Sequence, residues 1–239
     1  QYHTYTSTLT AMRAVSDSHP GIVTLFDIGD GWETLPGGGH RDLLAARVTS
    51  HPGQGKPAVL FMAAIHAREI ATPEVALKLL SLLADGYGVD PLITYLVDQR
   101  ETWIVPMVNP DGHIRAETGF WWRKNLDNAN GVCYPGQYWT TPGVDLNRNF
   151  GYQWGGGGAS GYACDETYRG PAAFSEPEDV AIKALVESHP FAAVVSYHAY
   201  GGSVLYPWGY TATPPADGGL MPAMAAKVAS YNGYFAAQA

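Results

Sequence analysis

Three stretches of the chain are apolar almost without interruption, run for about the length of a strand, and lead into a polar residue. Pro57–Ile65 (PAVLFMAAI) ends at His66, Thr102–Val108 (TWIVPMV) at Asn109, and Phe191–Tyr197 (FAAVVSY) at His198. Runs of this kind suit parallel strands buried on both faces, although Pro106 weakens the pairing of the second. Helical patterns separate them. Thr72-Pro73-Glu74 reads as an N-cap with proline at the first helical position. Val75, Leu79 and Leu82 then form an apolar face that predicts a helix to about Asp85. Further helices are expected over 90–99, over 175–188 (where Ser175 and Glu178 have the spacing of a capping box) and over 221–231. Asn109-Pro110-Asp111-Gly112 reads as a turn.

Strands alternating with helices predict an α/β fold, with a mixed, largely parallel central sheet and helices on both faces. No repeat or linker divides the chain, so one domain over residues 1–239 is expected. In such sheets ligands bind beyond the carboxyl ends of the strands. His66, Asn109 and His198 all fall on that rim.

Composition narrows the function. Of 239 residues, 46% are apolar and 15% charged, which suits a packed core rather than disorder. The formal net charge of −8 provides no basic stripe for phosphates, so no nucleic-acid partner is expected. No apolar stretch is long enough for a membrane-spanning helix, and no membrane partner is expected. Gln1 follows no visible signal peptide and reads as a mature start, with any leader already removed. The two cysteines, Cys133 and Cys164, lie in glycine-rich sequence. They are either buried thiols or one disulfide. A bridge would contribute about 3–4 kcal/mol by closing the intervening loop and would place the protein in an oxidising compartment.

His66 and Glu69 stand three residues apart, a spacing at which an imidazole and a carboxylate can converge. Two histidines and one glutamate are a common catalytic zinc set, with the fourth position left for water. His198 supplies the second imidazole from a neighbouring strand end. Such a pair arises readily by chance among eight histidines and 22 acids, and a strand-end histidine is often simply bonded to backbone. The shared rim is what favours a metal site.

The segment around His66 resembles the zinc motif of the metallocarboxypeptidases of the carboxypeptidase A and T type. The resemblance continues in order through Asn109-Pro110-Asp111-Gly112, Trp122-Arg123-Lys124-Asn125, Asp145-Leu146-Asn147-Arg148-Asn149, Glu166-Thr167-Tyr168, Phe174-Ser175-Glu176-Pro177-Glu178, Ser196-Tyr197-His198-Ala199-Tyr200 and Tyr206-Pro207-Trp208-Gly209-Tyr210. It covers about Tyr5 to the end of the chain, with the bacterial carboxypeptidase T branch as the nearest likeness. The resemblance implies one Zn2+ held by His66, Glu69 and His198. It implies that Arg123 polarises the scissile carbonyl and that Asn147 and Arg148 grip the substrate's terminal carboxylate. Arg68 and Tyr200 would line the next subsite inward. Cys133 and Cys164 fall near a disulfide found in some relatives, with longer spacing before Asp145. Calcium occurs in some bacterial relatives, but no residues here are assigned to it. The implied partners are peptide or protein C-termini, and a secreted monomer is expected.

The chain also departs from the family. The glutamate general base, the tyrosine that closes over substrate and the specificity pocket belong to a segment with no counterpart here. Glu69 is needed as a ligand, Glu166 reads as structural, and Glu176 and Glu178 begin a helix. A C-terminally incomplete chain is therefore expected. Two alternatives stay open: a peptidoglycan-type amide peptidase of the same family, and a non-catalytic zinc- or peptide-binding relative. The tryptophans and tyrosines are expected to be packing residues rather than substrate platforms.

Overall fold

A computed structural model describes residues 2–131, 133, 141–216 and 218–239. In chain order the elements are α1 (Tyr5–Ser18), β1 (Val23–Asp30), β2 (Asp42–Val48), β3 (Ala58–Met62), α2 (Thr72–Gly86), α3 (Pro91–Gln99), β4 (Glu101–Val105), α4 (Pro110–Glu117), a 3-10 turn at Leu146–Arg148, α5 (Pro177–Ser188), β5 (Phe191–Ser196), β6 (Ser203–Tyr206), α6 (Leu220–Asn232) and β7 (Phe235–Gln238).

Five strands form the central sheet in the order β1-β2-β4-β3-β5, and β6 and β7 pair separately. β3 lies parallel to both β4 and β5, whereas β1–β2 and β2–β4 are antiparallel. The expected mixed sheet is present. Its antiparallel half arises in a stretch where the sequence pattern predicts no element. Side chains alternate across the sheet as the pleat requires. Along β4, Ile104 joins Leu9, Met12, Leu80 and Leu83 beneath α1 and α2, while Trp103 and Val105 join Leu60, Ile182 and Leu185 beneath α5. Helices thus cover both faces. None of the described helices is long and apolar enough to cross a membrane.

Several local expectations are corrected. Thr72 is not the N-cap of α2. The cap is Ala71, which makes no side-chain bond, and the Thr72 hydroxyl instead donates to the Glu69 carbonyl and accepts from Ala64 N, both at 2.9 Å. The buried face of α2 is Ala76, Leu77, Leu80, Leu83 and Ala84, while Val75 and Leu82 are 48% and 50% exposed. Apolar residues surround most of this helix, so the pattern alone did not fix its phase. The Ser175–Glu178 capping box does not form. Glu176 occupies the N-cap of α5, Ser175 donates to its carboxylate at 2.6 Å, and Glu178 is buried against Trp32 N and Asn125. Asn109–Gly112 is not a free turn. It opens α4, with the Asn109 side chain accepting from Gly112 N at 2.9 Å. Finally, β5 pairs only with β3, leaving Val194 and Val195 exposed rather than buried.

Candidate metal centre and its arginines

The chain leaves β3 through Ala63–Ile65 and turns tightly at residues 66–69, where Glu69 N donates to the His66 carbonyl. This turn presents the two side chains together. His198 arrives two residues beyond β5, which lies beside β3. The Nδ1 atoms of His66 and His198 are 3.1 Å apart. Glu69 places one carboxylate oxygen 2.8 Å from His66 Nδ1 and the other 3.1 Å from His198 Nδ1. This is the one His/Cys/Asp/Glu group among the described residues arranged to hold a metal ion. The donor set fits zinc. Two imidazole nitrogens that close cannot both present lone pairs without a proton or cation between them. A tetrahedral ion with donors at about 2.1 Å needs separations of roughly 3.4 Å, a small expansion of what is seen. His66 and Glu69 are buried while the His198 side chain is 36% exposed, so the cluster opens on one side.

Electrostatics agrees with a charged cluster. Burial works against the Glu69 carboxylate, but its contacts with His198 and His66 win and hold its pKa down to about 2. Burial likewise opposes a charge on His66, and Asp145 and Glu69 overcome it and raise its pKa.

Asp145 organises the surroundings. It is fully buried. Its Oδ2 accepts from Arg123 Nε at 3.1 Å and Nη2 at 2.8 Å. Its Oδ1 caps the 3-10 turn by accepting from Asn147 N at 3.1 Å and lies 3.4 Å from His66 Nε2. One carboxylate therefore orients the candidate oxyanion arginine and the turn bearing Asn147 and Arg148, and it lies within ion-pair distance of a candidate ligand whose buried Nε2 makes no hydrogen bond among the described residues. Hydrogen bonds to the second nitrogen are what fix a metal-bound histidine. Arg148 is half-exposed, with Nε donating to the Gly158 carbonyl at 2.8 Å. The next residue, Asn149, is buried and ties the turn to the carbonyls of Arg169 and Ala172.

The turn at 66–69 is held against the arginine segment by Ala67 N donating to the Arg123 carbonyl at 3.0 Å. Gly112 permits this approach: a Cβ there would lie 2.4 Å from the Lys124 carbonyl and 2.8 Å from the Ala67 side chain. Lys124 is wholly buried and donates to the carbonyls of Ala163 and Asp165, and burial lowers its pKa to about 8. It thereby fastens this segment to the loop containing Cys164, which is bonded to Cys133 with an S–S distance of 2.10 Å. Of the two readings of the cysteines, the disulfide is the one formed.

Arg68 pairs with Glu166 at 2.7 Å, while Tyr200 is 95% exposed beyond His198. The expected residues thus fall into a tight group (His66, Glu69, His198, with Arg123 and Asn147 joined through Asp145) and an outer set of Arg68, Arg148 and Tyr200. Sequence reasoning passed over Asp145 and read Glu166 as structural without identifying its partner. Both stood in recognised motifs, but only their contacts, with Arg123 22 residues away and with Arg68 98 residues away, reveal what they do.

A family profile described as zinc carboxypeptidase matches residues 8–238. Carboxypeptidase A2 of Rattus norvegicus is 32% identical over 231 residues, covering 95% of this chain and 52% of its own. A zinc carboxypeptidase of Saccharothrix mutabilis subsp. capreolus is also 32% identical, covering 91% and 49% respectively. Among solved structures, carboxypeptidase A from Helicoverpa armigera superposes with a TM-score of 0.83 at 26% identity, over 96% of this chain and 53% of that one. Thrombin activatable fibrinolysis inhibitor superposes with a TM-score of 0.85 at 25% identity, over 100% and 59%. The chain spans about half the length of the curated relatives it matches. With a profile match over nearly its whole length and relatives of this similarity, the chain belongs to the zinc carboxypeptidase family.

Proposed function

We propose that this protein is a zinc-dependent exopeptidase that removes C-terminal residues from peptides and proteins. The observation that carries the reading is the convergence of His66, Glu69 and His198 on one point, beside an arginine that shares Asp145 with His66. These three residues would hold one Zn2+, which lowers the pKa of a bound water towards about 7 and polarises a carbonyl. Arg123 would stabilise the oxyanion that develops as the carbonyl is attacked. Asp145 fixes its orientation through Nε and Nη2, and the guanidinium retains further donors for substrate. Preorganised donors of this type are typically worth about 3–4 kcal/mol in the transition state. Arg148, with Asn147, would grip the free carboxylate that distinguishes a chain end from an internal peptide bond. The planar guanidinium fork suits that group. Arg68 and Tyr200 would contact the substrate upstream.

The disulfide supports an oxidising compartment and hence a secreted protein. The continuous five-stranded mixed sheet supports a single catalytic domain. Because the glutamate base expected of the family has no counterpart among residues 1–239, and the chain spans about half the length of its relatives, the test is zinc content together with hydrolysis of a blocked dipeptide by the whole protein. One zinc per chain, release of the terminal residue and its loss on chelation are expected. Equal cleavage of the C-terminally amidated peptide, or no zinc-dependent release, overturns the proposal.

A further inference from the structure

β3 lies between β4 and β5, and the chain must bend sharply on leaving it to bring His66 and Glu69 to the rim. The bend is made at Ala64, whose φ of +50° lies in the left-handed region. Any residue but glycine is held there at a cost, because its Cβ crowds the following carbonyl oxygen. Ala64 is wholly buried, so its backbone N–H needs an acceptor inside the protein. The acceptor is the Thr72 hydroxyl, at 2.9 Å. The same hydroxyl donates its one proton to the Glu69 carbonyl, also at 2.9 Å. Thr72 N donates to that carbonyl as well, again at 2.9 Å.

One oxygen thus spans the ligand loop and ties its entry, at Ala64, to its exit, at Glu69. The other bonds to the loop act elsewhere. Asn109 holds the Ala64 and Ile65 carbonyls, and the Arg123 carbonyl holds Ala67 N. These contacts place the entry and the middle of the loop, and the Thr72 hydroxyl sets the end that bears the Glu69 side chain against them. Thr72 is 3% exposed and β-branched, so its side chain is stiff and has no room to swing away. What it holds is a close approach: a Glu69 carboxylate oxygen lies 2.8 Å from His66 Nδ1.

We propose that Thr72 is a positioning residue of the metal centre, its hydroxyl bridging Ala64 N and the Glu69 carbonyl so that Glu69 is set beside His66 in a geometry that takes up zinc. The proposal rests on the reading of His66, Glu69 and His198 as zinc ligands, and the experiment separates the two. Zinc Kd is measured by chelator competition on the wild type, Thr72→Val, Thr72→Ser and Thr72→Ala. The visible absorption of each protein loaded with Co2+ reports the ligand geometry, and denaturant unfolding of the metal-free proteins runs alongside. Thr72→Val keeps the shape and loses the hydroxyl, whereas Thr72→Ser keeps the hydroxyl. Thr72→Val should bind zinc about tenfold more weakly, the lower end of the loss on removing an outer partner of a metal ligand, with displaced Co2+ bands. Thr72→Ser should stay within about threefold of the wild type and keep its bands. A merely structural threonine would lower the unfolding midpoint of Thr72→Val and leave the Kd and the bands of the folded protein unchanged, and that result overturns the proposal. If Thr72→Val does not fold, Thr72→Ser and Thr72→Ala, which differ by the hydroxyl alone, carry the comparison: about the same tenfold is expected between them, and equal affinities overturn the proposal. Zinc bound equally with and without the hydroxyl leaves the metal reading standing, whereas a wild type that binds no zinc overturns that reading and the positioning role with it.

Discussion

Replacing Asp145 with asparagine tests the arrangement of the centre with almost no change in volume. The carboxylate receives Arg123 through Nε and Nη2 on one oxygen, and Asn147 N and the nearby His66 Nε2 on the other. An amide must turn its NH2 towards one of these sides, where only donors face it. It also removes the negative charge that favours a proton on His66 Nε2 and a lone pair on Nδ1. Full unit charges 3.4 Å apart would interact by about 5 kcal/mol at an effective dielectric constant of 20. A neutral imidazole N–H carries only part of such a charge. The expected loss is therefore nearer that of other outer partners of metal-bound histidines, about 10- to 100-fold in zinc affinity, or roughly 1.4–2.7 kcal/mol. Chelator competition at neutral pH measures it directly, with denaturant unfolding of the zinc-free proteins run alongside. Asp145→Asn should be weaker in zinc affinity by that factor and also less stable, because it leaves the mostly buried Arg123 without its counter-ion. A folded variant whose zinc Kd stays within about twofold of wild type refutes the role assigned to Asp145.

Other perturbations probe the scaffold. Replacing Cys133 and Cys164 together by serine should cost about 3–4 kcal/mol in denaturant unfolding, from a loop with a sequence separation of 31, and a loss below about 1 kcal/mol would contradict the chain-entropy account. Gly112→Ala should destabilise by about 1–3 kcal/mol and weaken zinc binding as the Lys124 carbonyl and Ala67 are forced apart, whereas a neutral result would show the contact to be yielding. Burial, reinforced by Asp111 and Glu176, raises the pKa of Glu178 to about 8. Because the folded state holds that proton more tightly, the stability it contributes is complete below about pH 4.5 and is lost as pH rises towards 8. Glu178→Gln should flatten that part of the stability–pH curve, and an unchanged slope would refute the buried proton.

The sequence made the site more legible than the scaffold. β3 and β4 were readable because strands covered on both faces demand apolar residues, β5 because it carries the same apolar run although it is exposed, and that pattern marks the strand ends where His66, Asn109 and His198 emerge. β1 was not readable. In VTLFDIGD only Val23 is fully buried, and partly buried and exposed positions alternate irregularly. α1 buries only Thr8, Leu9 and Met12 among polar neighbours, too thin a stripe to stand out. The phase of α2 was misread for the opposite reason, an excess of apolar residues. Within the site, the candidate metal ligands carry their chemistry in their residue type. Asp145, Glu166 and Thr72 acquire theirs from neighbours that only folding supplies. An aspartate inside a motif does not announce which histidine it faces, and a threonine before a proline does not announce that its hydroxyl turns back to the ligand loop.

The candidate ligands are unevenly spaced along the chain. His66 and Glu69 are neighbours, but His198 follows Glu69 by 129 residues. During synthesis at about 5–20 residues per second, roughly 6 to 26 s pass between the appearance of the first two donors and the third. Throughout that interval the nascent chain offers only a two-donor chelate. Tight capture of the ion must await the docking of β5 against β3, since that step delivers the last imidazole. Metal loading is thereby made to report on completion of the parallel half of the sheet. Once loaded, the ion acts as a clasp across that junction, so chelation should accelerate hydrogen exchange first at the carboxyl end of β5.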